Sequence, residues 1–263
     1  MDAILYAAGR GNRLGESANE PHKLLLRFAG QSLLERHLIQ LAIIGVRQLF
    51  IVTGHERQAL ANEFKVLQQK HGVLIEELFN PDFLEGSALS MHVSLPALRQ
   101  AQDRVLLMDG DVLYGQGMLR RLLASTERTA LLIDQNYPKD DEDPVLVPLR
   151  DGRPFDFTKR WRGTADRIGE SVGFFKVDRL DLPELIRETE ARQFGAGRNE
   201  SYDDILRVLV KAGRFGAEDI TGHPWTEIDF PHDLVHAREV ILPAIQQMES
   251  SEKSPLGGNT PHR

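Results

Sequence analysis

Apolar strand-like runs alternate with helical stretches through the first half of the chain. The runs predict strands at 2–7, 48–53, 73–78, 104–108 and 129–134, and helices at 33–44, 56–69, 88–98 and 116–124. Such alternation is typical of consecutive βαβ units, which form a parallel sheet with helices on both faces. We therefore predict an α/β fold with a Rossmann-like, mostly parallel sheet sandwiched by helices. In sheets of this kind a ligand lies at the carboxyl ends of the strands.

The pattern changes after Tyr137, where short apolar runs and turn residues predict a small β-containing excursion over about 137–222. Further elements are expected within and beyond it: a strand at 170–177, helices at 181–192 and 201–212, an extended stretch at 227–230 and a helix at 231–248. We predict one domain over 1–249. Residues 250–263 are rich in Ser, Pro and Gly, which favours a disordered tail.

The composition excludes several classes of protein. The chain has 263 residues, a net charge of −7 and no cysteine, which argues against a nucleic-acid partner and excludes thiolate chemistry. No apolar run reaches the about 20 residues needed to span a bilayer. We expect a cytoplasmic monomer or homodimer that neither binds nucleic acid nor inserts into a membrane.

A glycine-rich, basic loop follows the first strand, in "YAAGRGNRLGESANEPHKLLL" at 6–26. It departs from the Rossmann fingerprint, because Leu14 stands where the third glycine belongs. It also departs from the Walker loop, since no glycine immediately precedes Lys23. A plain strand-to-helix turn is one interpretation. The cations Arg10, Arg13 and Lys23 favour another, in which backbone amides and basic side chains hold phosphate oxygens.

Acidic residues occur at two places that the fold would bring to the same edge. Asp109 and Asp111 follow the fourth predicted strand, and Glu227 and Asp229 alternate on a short extended stretch, so they share one face. Carboxylates are ligands that Mg²⁺ prefers, which favours a metal site. Turn caps and an exposed strand edge are the alternative interpretations.

The segment "AAGRGNRLG…PHKLLLRFAGQSLLERHLIQL" resembles the opening of nucleotidyltransferases with a glycosyltransferase-A-like, or nucleotide-diphospho-sugar transferase, fold. The resemblance extends to about residue 246. The closing "WTEIDFPHDL" resembles the branch of choline-phosphate and 2-aminoethylphosphonate cytidylyltransferases. Two features depart from the family: His22 stands between the usual proline and lysine, and the segment between Arg13 and Pro21 is short.

The resemblance implies a nucleotide site and a metal site. The nucleotide-binding residues it implies are Ala7, Ala8, Gly9, Gly11, Arg13, Lys23, Gly86, Ser87 and Asp109. Gly86 and Ser87 come from "NPDFLEGSALSMHVSL", which also resembles a loop beside the base in molybdopterin cytidylyltransferases. The implied Mg²⁺ ligands are Asp111, Asp229 and Glu227.

The resemblance also implies an acceptor side. The acceptor-binding residues are Lys159, Glu170, Tyr202, Asp203 and Trp225, and the implied catalytic residues are Arg13, Lys23 and Lys159. Arg160 is the rival of Lys159 for the acceptor's phosphate. Glu170 either orients the substrate or caps a turn, and Trp161 either joins an aromatic box with Tyr202 and Trp225 or belongs to ordinary packing.

The implied activity is Mg²⁺-dependent transfer of CMP from CTP to a small phosphorylated or phosphonylated alcohol or amine, with pyrophosphate released. Phosphocholine, 2-aminoethylphosphonate and inositol phosphate are the acceptors expected from the resemblance. A sugar-1-phosphate nucleotidyltransferase and a molybdopterin cytidylyltransferase are alternatives within the fold. A non-catalytic nucleotide-binding regulator is an alternative from another class.

Overall fold

The computed structural model describes residues 1–14, 22–137 and 143–253. The strands are β1 (Asp2–Ala7), β2 (Arg27–Phe28), β3 (Gln31–Ser32), β4 (Gln48–Thr53), β5 (Leu74–Phe79), β6 (Val105–Asp109), β7 (Val112–Tyr114), β8 (Thr129–Asp134), β9 (Leu146–Arg150), β10 (Arg153–Pro154), β11 (Arg167–Val177), β12 (Phe215–Asp219) and β13 (Trp225–Glu227). The helices are α1 (Leu33–Ile43), α2 (Arg57–His71), α3 (Ala88–Val93), α4 (Leu95–Gln100), α5 (Gln116–Ala124), α6 (Leu182–Ala191), α7 (Tyr202–Lys211), α8 (Pro231–His236) and α9 (Leu242–Lys253).

A large, mostly parallel sheet forms the centre of the molecule, as the sequence predicts. Strands β5, β4, β1 and β6 are adjacent and parallel. Next to β6 lies the antiparallel β11, followed by β8 and by β12, which runs parallel to β8. The first half of β11 pairs instead with β9, which forms a hairpin with β10.

Alternating side chains of each central strand enter two separate cores, one on each face of the sheet. In β1, Ile4 and Tyr6 belong to one core, whereas Ala3 and Leu5 belong to the other. This follows from the two-residue period of a strand. Because β1 is buried on both faces, its sequence is a nearly continuous run of apolar residues and does not alternate with polar ones.

A third apolar cluster holds the C-terminal helices against the edge where the opening loop lies. It joins Leu26 and Phe28 to Leu113 of β7, Ile228 after β13 and Ile245 of α9. Helices α8 and α9 are connected by a π-helical turn at Ala237–Ile241. This packing holds together the segment after Lys23, strand β7 after Asp111 and the residues around Asp229, all of which contribute to the candidate site.

The structure differs from the sequence-based expectations at several boundaries. The helix expected at 88–98 is two helices, α3 and α4, and the extended stretch expected at 227–230 lies at 225–227. Strands β7 and β12 were not expected. Of the expected tail at 250–263, residues 250–253 are helical, and the hydroxyls of Ser250 and Ser251 donate to carbonyls one turn earlier. Residues 254–263 lie outside the described residues.

Within the expected excursion at 137–222, four strands belong to the central sheet, β9, β10, β11 and β12. The apolar β11 pairs with β6 and β8, and β12 pairs with β8. Among the helices that the structure describes, none is long and apolar enough to cross a membrane.

Candidate active site

A cavity of about 520 Å³ opens at the carboxyl ends of β1 and β6. Most of the residues singled out from the sequence line it: Ala8, Gly9, Gly11, Arg13, Lys23, Ser87, Asp109, Asp111, Lys159, Glu170, Tyr202, Asp203, Glu227 and Asp229. Ala7, Gly86 and Trp225 are not among its lining residues. The sheet edge expected from the strand pattern is therefore where these side chains meet.

Three carboxylates come together in this cavity, although they are far apart in sequence. Oxygens of Asp111, Glu227 and Asp229 lie within 4.8 Å of one another. The pairing of β7 with β13 assembles them: Glu227 is opposite Val112, and the amide of Ile228 donates to the carbonyl of Asp111 at 3.0 Å. Hard oxygen donors at this spacing fit Mg²⁺.

Lys23 bridges two of these carboxylates. Its Nζ lies 2.9 Å from Oδ2 of Asp111 and 2.6 Å from Oδ1 of Asp229. Burial alone would lower the pKa of the Lys23 ammonium, but the charges of both aspartates and the hydrogen bonds to them raise it above its usual range. The lysine is therefore charged, and the two carboxylates are its counter-ions.

The extra residue His22 places Lys23 in the site. Its Nδ1 accepts a hydrogen bond from the amide of Leu24 at 3.2 Å, which caps the short 3-10 turn Lys23–Leu25. With Nδ1 accepting, the neutral ring donates from Nε2 to the carbonyl of Ala7, also at 3.2 Å. Burial lowers the pKa of His22, in agreement with a neutral ring. The histidine thus ties the lysine turn to the end of β1.

Two further cations stand at the mouth of the cavity. Arg13 lies 3.0 Å from Asp229 and 3.5 Å from Asp143, while Lys159 lies 2.7 Å from Asp143. The guanidinium of Arg13 also lies over the ring of Phe230, 5.3 Å from its centroid. Asp143 was not predicted as a site residue. It ends a short acidic run before the β9–β10 hairpin, and such a run is only weak evidence for a functional site.

Asp109 is held from two sides. The hydroxyl of Tyr202 donates to both of its oxygens, at 2.5 and 2.6 Å, and the ring of Tyr202 stacks on Tyr6. On the other side stands Gly173, where an added Cβ would come within 2.1 Å of Oδ2. Burial and the nearby charge of Asp111 raise the pKa of Asp109 well above its usual range.

The loop expected near the base is fastened to the segment before α7. Gly86 donates its amide to the carbonyl of Arg198, and an added Cβ would come within 2.2 Å of the Glu200 carbonyl oxygen. The hydroxyl of Ser87 accepts from the amide of Tyr202 at 3.0 Å. Arg198 itself forms a bidentate pair with Glu85, with both distances 2.7 Å.

The residues singled out for the acceptor divide between two cavities. Glu170 lines both of them. Asp203, whose pKa is raised by burial, lines the cavity of about 520 Å³ that also holds Lys23. Trp225 lines a second cavity of about 1200 Å³ beside the C-terminal helices, where its Nε1 donates to Asp134 at 2.9 Å. Trp161 packs edge-on against Phe155.

One family of known proteins matches almost the whole chain, over residues 3–254, and its description is the MobA-like NTP transferase domain. The chain belongs to this family. It is 30% identical over 245 residues to a bifunctional IPC transferase and DIPP synthase of Rubrobacter xylanophilus, covering 92% of this chain and 52% of that protein. It is 29% identical over 266 residues to a CMP-5'-(3-aminopropyl)phosphonate synthase of Streptomyces rubellomurinus, covering 95% and 40%.

The chain therefore spans about half the length of these two relatives. Among solved structures, the inositol-1-phosphate CTP transferase from T. maritima superposes with a TM-score of 0.73 at 21% identity, covering 97% of this chain and 98% of that one. The nucleotide-diphospho-sugar transferase fold expected from the opening motif is confirmed by this likeness. The family membership confirms the resemblance to nucleotidyltransferases.

Proposed function

We propose that this chain is a Mg²⁺-dependent cytidylyltransferase that moves CMP from CTP to a small phosphorylated or phosphonylated alcohol or amine. The observation that carries the proposal is the close approach of Lys23 and Arg13, from the glycine-rich segment, to the carboxylates Asp111 and Asp229. A triphosphate needs cations, and a metal needs carboxylates. The cavity offers both at one place.

The reaction requires no nucleophile from the protein. An oxygen of the acceptor's phosphate attacks the α-phosphorus of CTP, the bond to the β-phosphate oxygen breaks, and pyrophosphate leaves. Amides of the loop at 8–11, together with Arg13 and Lys23, hold the triphosphate in line with the attacking oxygen. Mg²⁺ held by Asp111, Asp229 and Glu227 would supply positive charge to the reacting phosphate.

The remaining polar groups of the cavity suit the two substrates. Lys159 stands at its mouth and would neutralise the acceptor's phosphate or phosphonate. Asp109 faces the same cavity and would bind the nucleotide. The relative from Streptomyces rubellomurinus supports cytidylyl chemistry, because it is a synthase of a CMP-linked aminopropylphosphonate.

The test is a pyrophosphate-release assay over ATP, GTP, CTP and UTP with a panel of acceptors. The panel contains phosphocholine, 2-aminoethylphosphonate, inositol 1-phosphate and glucose 1-phosphate. We expect release only with CTP, Mg²⁺ and one of the first three acceptors. Asp111→Asn and Asp229→Asn should abolish release, whereas Asp103→Asn, at an exposed acid that precedes β6, should not. Efficient turnover of glucose 1-phosphate would contradict the proposed acceptor class.

A further inference from the structure

The ammonium of Lys23 lies between Asp111 and Asp229, two of the three carboxylates proposed to hold a divalent cation. Its Nζ is 2.9 Å from one aspartate and 2.6 Å from the other, and the lysine side chain is only 15% exposed. Oxygens of the two aspartates are themselves within 4.8 Å of each other and of Glu227. Mg²⁺ needs ligand distances of about 2.0–2.1 Å, so a metal held by these carboxylates would lie in the space between them that the ammonium fills.

We infer that Lys23 is an internal counter-ion that competes with the divalent metal for Asp111 and Asp229, so that the free enzyme binds metal weakly. Metal binding then displaces the ammonium, which takes a phosphate of the nucleotide as its new partner. This inference rests on the proposed function, because the nucleotide supplies the second partner. It gives Lys23 two alternating roles at one site.

Electrostatics requires the exchange. An ammonium and a divalent cation held by the same two carboxylates would be close neighbours, and two such cations repel each other. Without any cation, the carboxylates of Asp111 and Asp229 would repel each other instead. A charged lysine therefore stabilises the two carboxylates and raises the free-energy cost of metal entry.

The surroundings of the side chain give the displaced ammonium a destination. The stem of Lys23 packs against Gly11, whose added Cβ would lie 3.4 Å from the lysine Cε. Gly11 adopts a positive φ of 63°, a backbone conformation that favours glycine. Gly9 and Gly11 line the same cavity as Lys23, so an ammonium that leaves the aspartates would remain beside the loop where the triphosphate is proposed to bind.

Metal binding without turnover tests the inference. Free Mn²⁺ is measured by electron paramagnetic resonance during titration of metal-stripped protein in the absence of nucleotide. We expect Lys23→Gln to bind Mn²⁺ at least tenfold more tightly than the wild type. Lys23→Arg, which keeps the charge, should stay within threefold of the wild type. Lys159→Gln is the matched control, since it removes a neighbouring charge that pairs with Asp143, and it should also stay within threefold.

The same titration with a non-hydrolysable CTP analogue supplies a second measurement. In the wild type the analogue should tighten Mn²⁺ binding by at least tenfold more than it does in Lys23→Gln, because only the wild type has a lysine to move. A Lys23→Gln protein that folds only with Mn²⁺ would support the inference, since the metal then replaces the missing charge.

Two results separate this inference from the proposed function. Unchanged or weaker Mn²⁺ binding by folded Lys23→Gln would overturn the role of the lysine even if CMP transfer is observed. Competition in the titrations without any CMP transfer by the wild type would reject the transferase activity and leave the lysine–metal exchange standing.

Discussion

The hydroxyl of Tyr202 donates to both carboxylate oxygens of Asp109, at 2.5 and 2.6 Å. Tyr202 is the first residue of α7, on the side expected to meet the acceptor, whereas Asp109 ends β6, on the side expected to meet the nucleotide. This contact joins the two halves of the candidate site. It changes what a substitution of Tyr202 is expected to do.

Tyr202→Phe should weaken CTP use at least as much as acceptor use. The half-buried carboxylate of Asp109 would lose both hydrogen bonds from this hydroxyl, and leaving such an acceptor without a partner costs about 1–3 kcal/mol. We expect kcat/KM for CTP to fall about 10- to 100-fold. Steady-state kinetics with each substrate varied in turn measures this. A rise in the acceptor's KM alone would show that Tyr202 contacts only the acceptor, the role that the sequence resemblance implies.

Gly86→Ala should destabilise the protein, because the added Cβ would meet the Glu200 carbonyl oxygen at 2.2 Å. Forcing an atom into a filled space costs about 1–3 kcal/mol, which corresponds to a fall in Tm of roughly 3–10 °C for a chain of this size. Gly9→Ala is the matched control: an added Cβ there meets nothing within 4 Å. Thermal unfolding that leaves both variants equally stable would contradict the close approach of the two loops.

His37 should make the protein less stable at mildly acidic pH. Burial lowers the pKa of this ring to about 4, and the ring contacts the carbonyl of Gly110 and the hydroxyl of Tyr114. In the unfolded chain the pKa of this histidine is about 6.5. Between about pH 6.5 and pH 4 the unfolded chain therefore binds a proton that the folded chain does not bind. Stability is therefore full above about pH 6.5 and decreases as the pH falls towards about 4.

The measurement is urea unfolding of the wild type and of His37→Gln at pH 7 and at pH 5. Between these values the wild type should lose about 2 kcal/mol more of its free energy of unfolding than the variant, because the amide does not titrate. Other titrating groups are common to both proteins and cancel in the comparison. Parallel losses in the two proteins would show that His37 takes up its proton while folded.

Lys159→Ala should raise the acceptor's KM about tenfold or more and leave the KM of CTP within about twofold, on the scale of one lost charged contact. The lysine stands at the cavity mouth, 2.7 Å from Asp143. Arg160→Ala is the control, because Arg160 was the rival for this role and does not line the cavity. If Arg160→Ala raises the acceptor's KM and Lys159→Ala does not, the acceptor's phosphate lies elsewhere.

Much of the central sheet could be predicted from the sequence because strands such as β1, β4 and β8 are buried on both faces. Strand β1 was predicted at 2–7, β4 at 48–53 and β8 at 129–134, as the structure has them. Strand β7 was not predicted, since its three residues carry no period of their own. It exists because it pairs with β13, more than a hundred residues later in the chain.

The same long-range pairing limits what could be predicted of the site. The sequence indicated that Asp111, Glu227 and Asp229 would be neighbours, but not that Lys23 would bridge two of them. Nor did it indicate that Tyr202 and Trp225, proposed for one aromatic box, would line different cavities. Tertiary packing decides such contacts, and no local pattern reports the hydrogen bond from Tyr202 to Asp109.

The fate of the phosphates of CTP tests the central claim most directly. Two samples of CTP, one labelled with ³²P at the α-phosphate and one at the γ-phosphate, are incubated with the protein, Mg²⁺ and phosphocholine, 2-aminoethylphosphonate or inositol 1-phosphate. The account predicts that the α label appears in the acceptor product and the γ label in pyrophosphate, with neither product formed by Asp111→Asn. Transfer of the γ label to the acceptor, or an α label that stays in CTP with phosphocholine, 2-aminoethylphosphonate and inositol 1-phosphate alike, would contradict it.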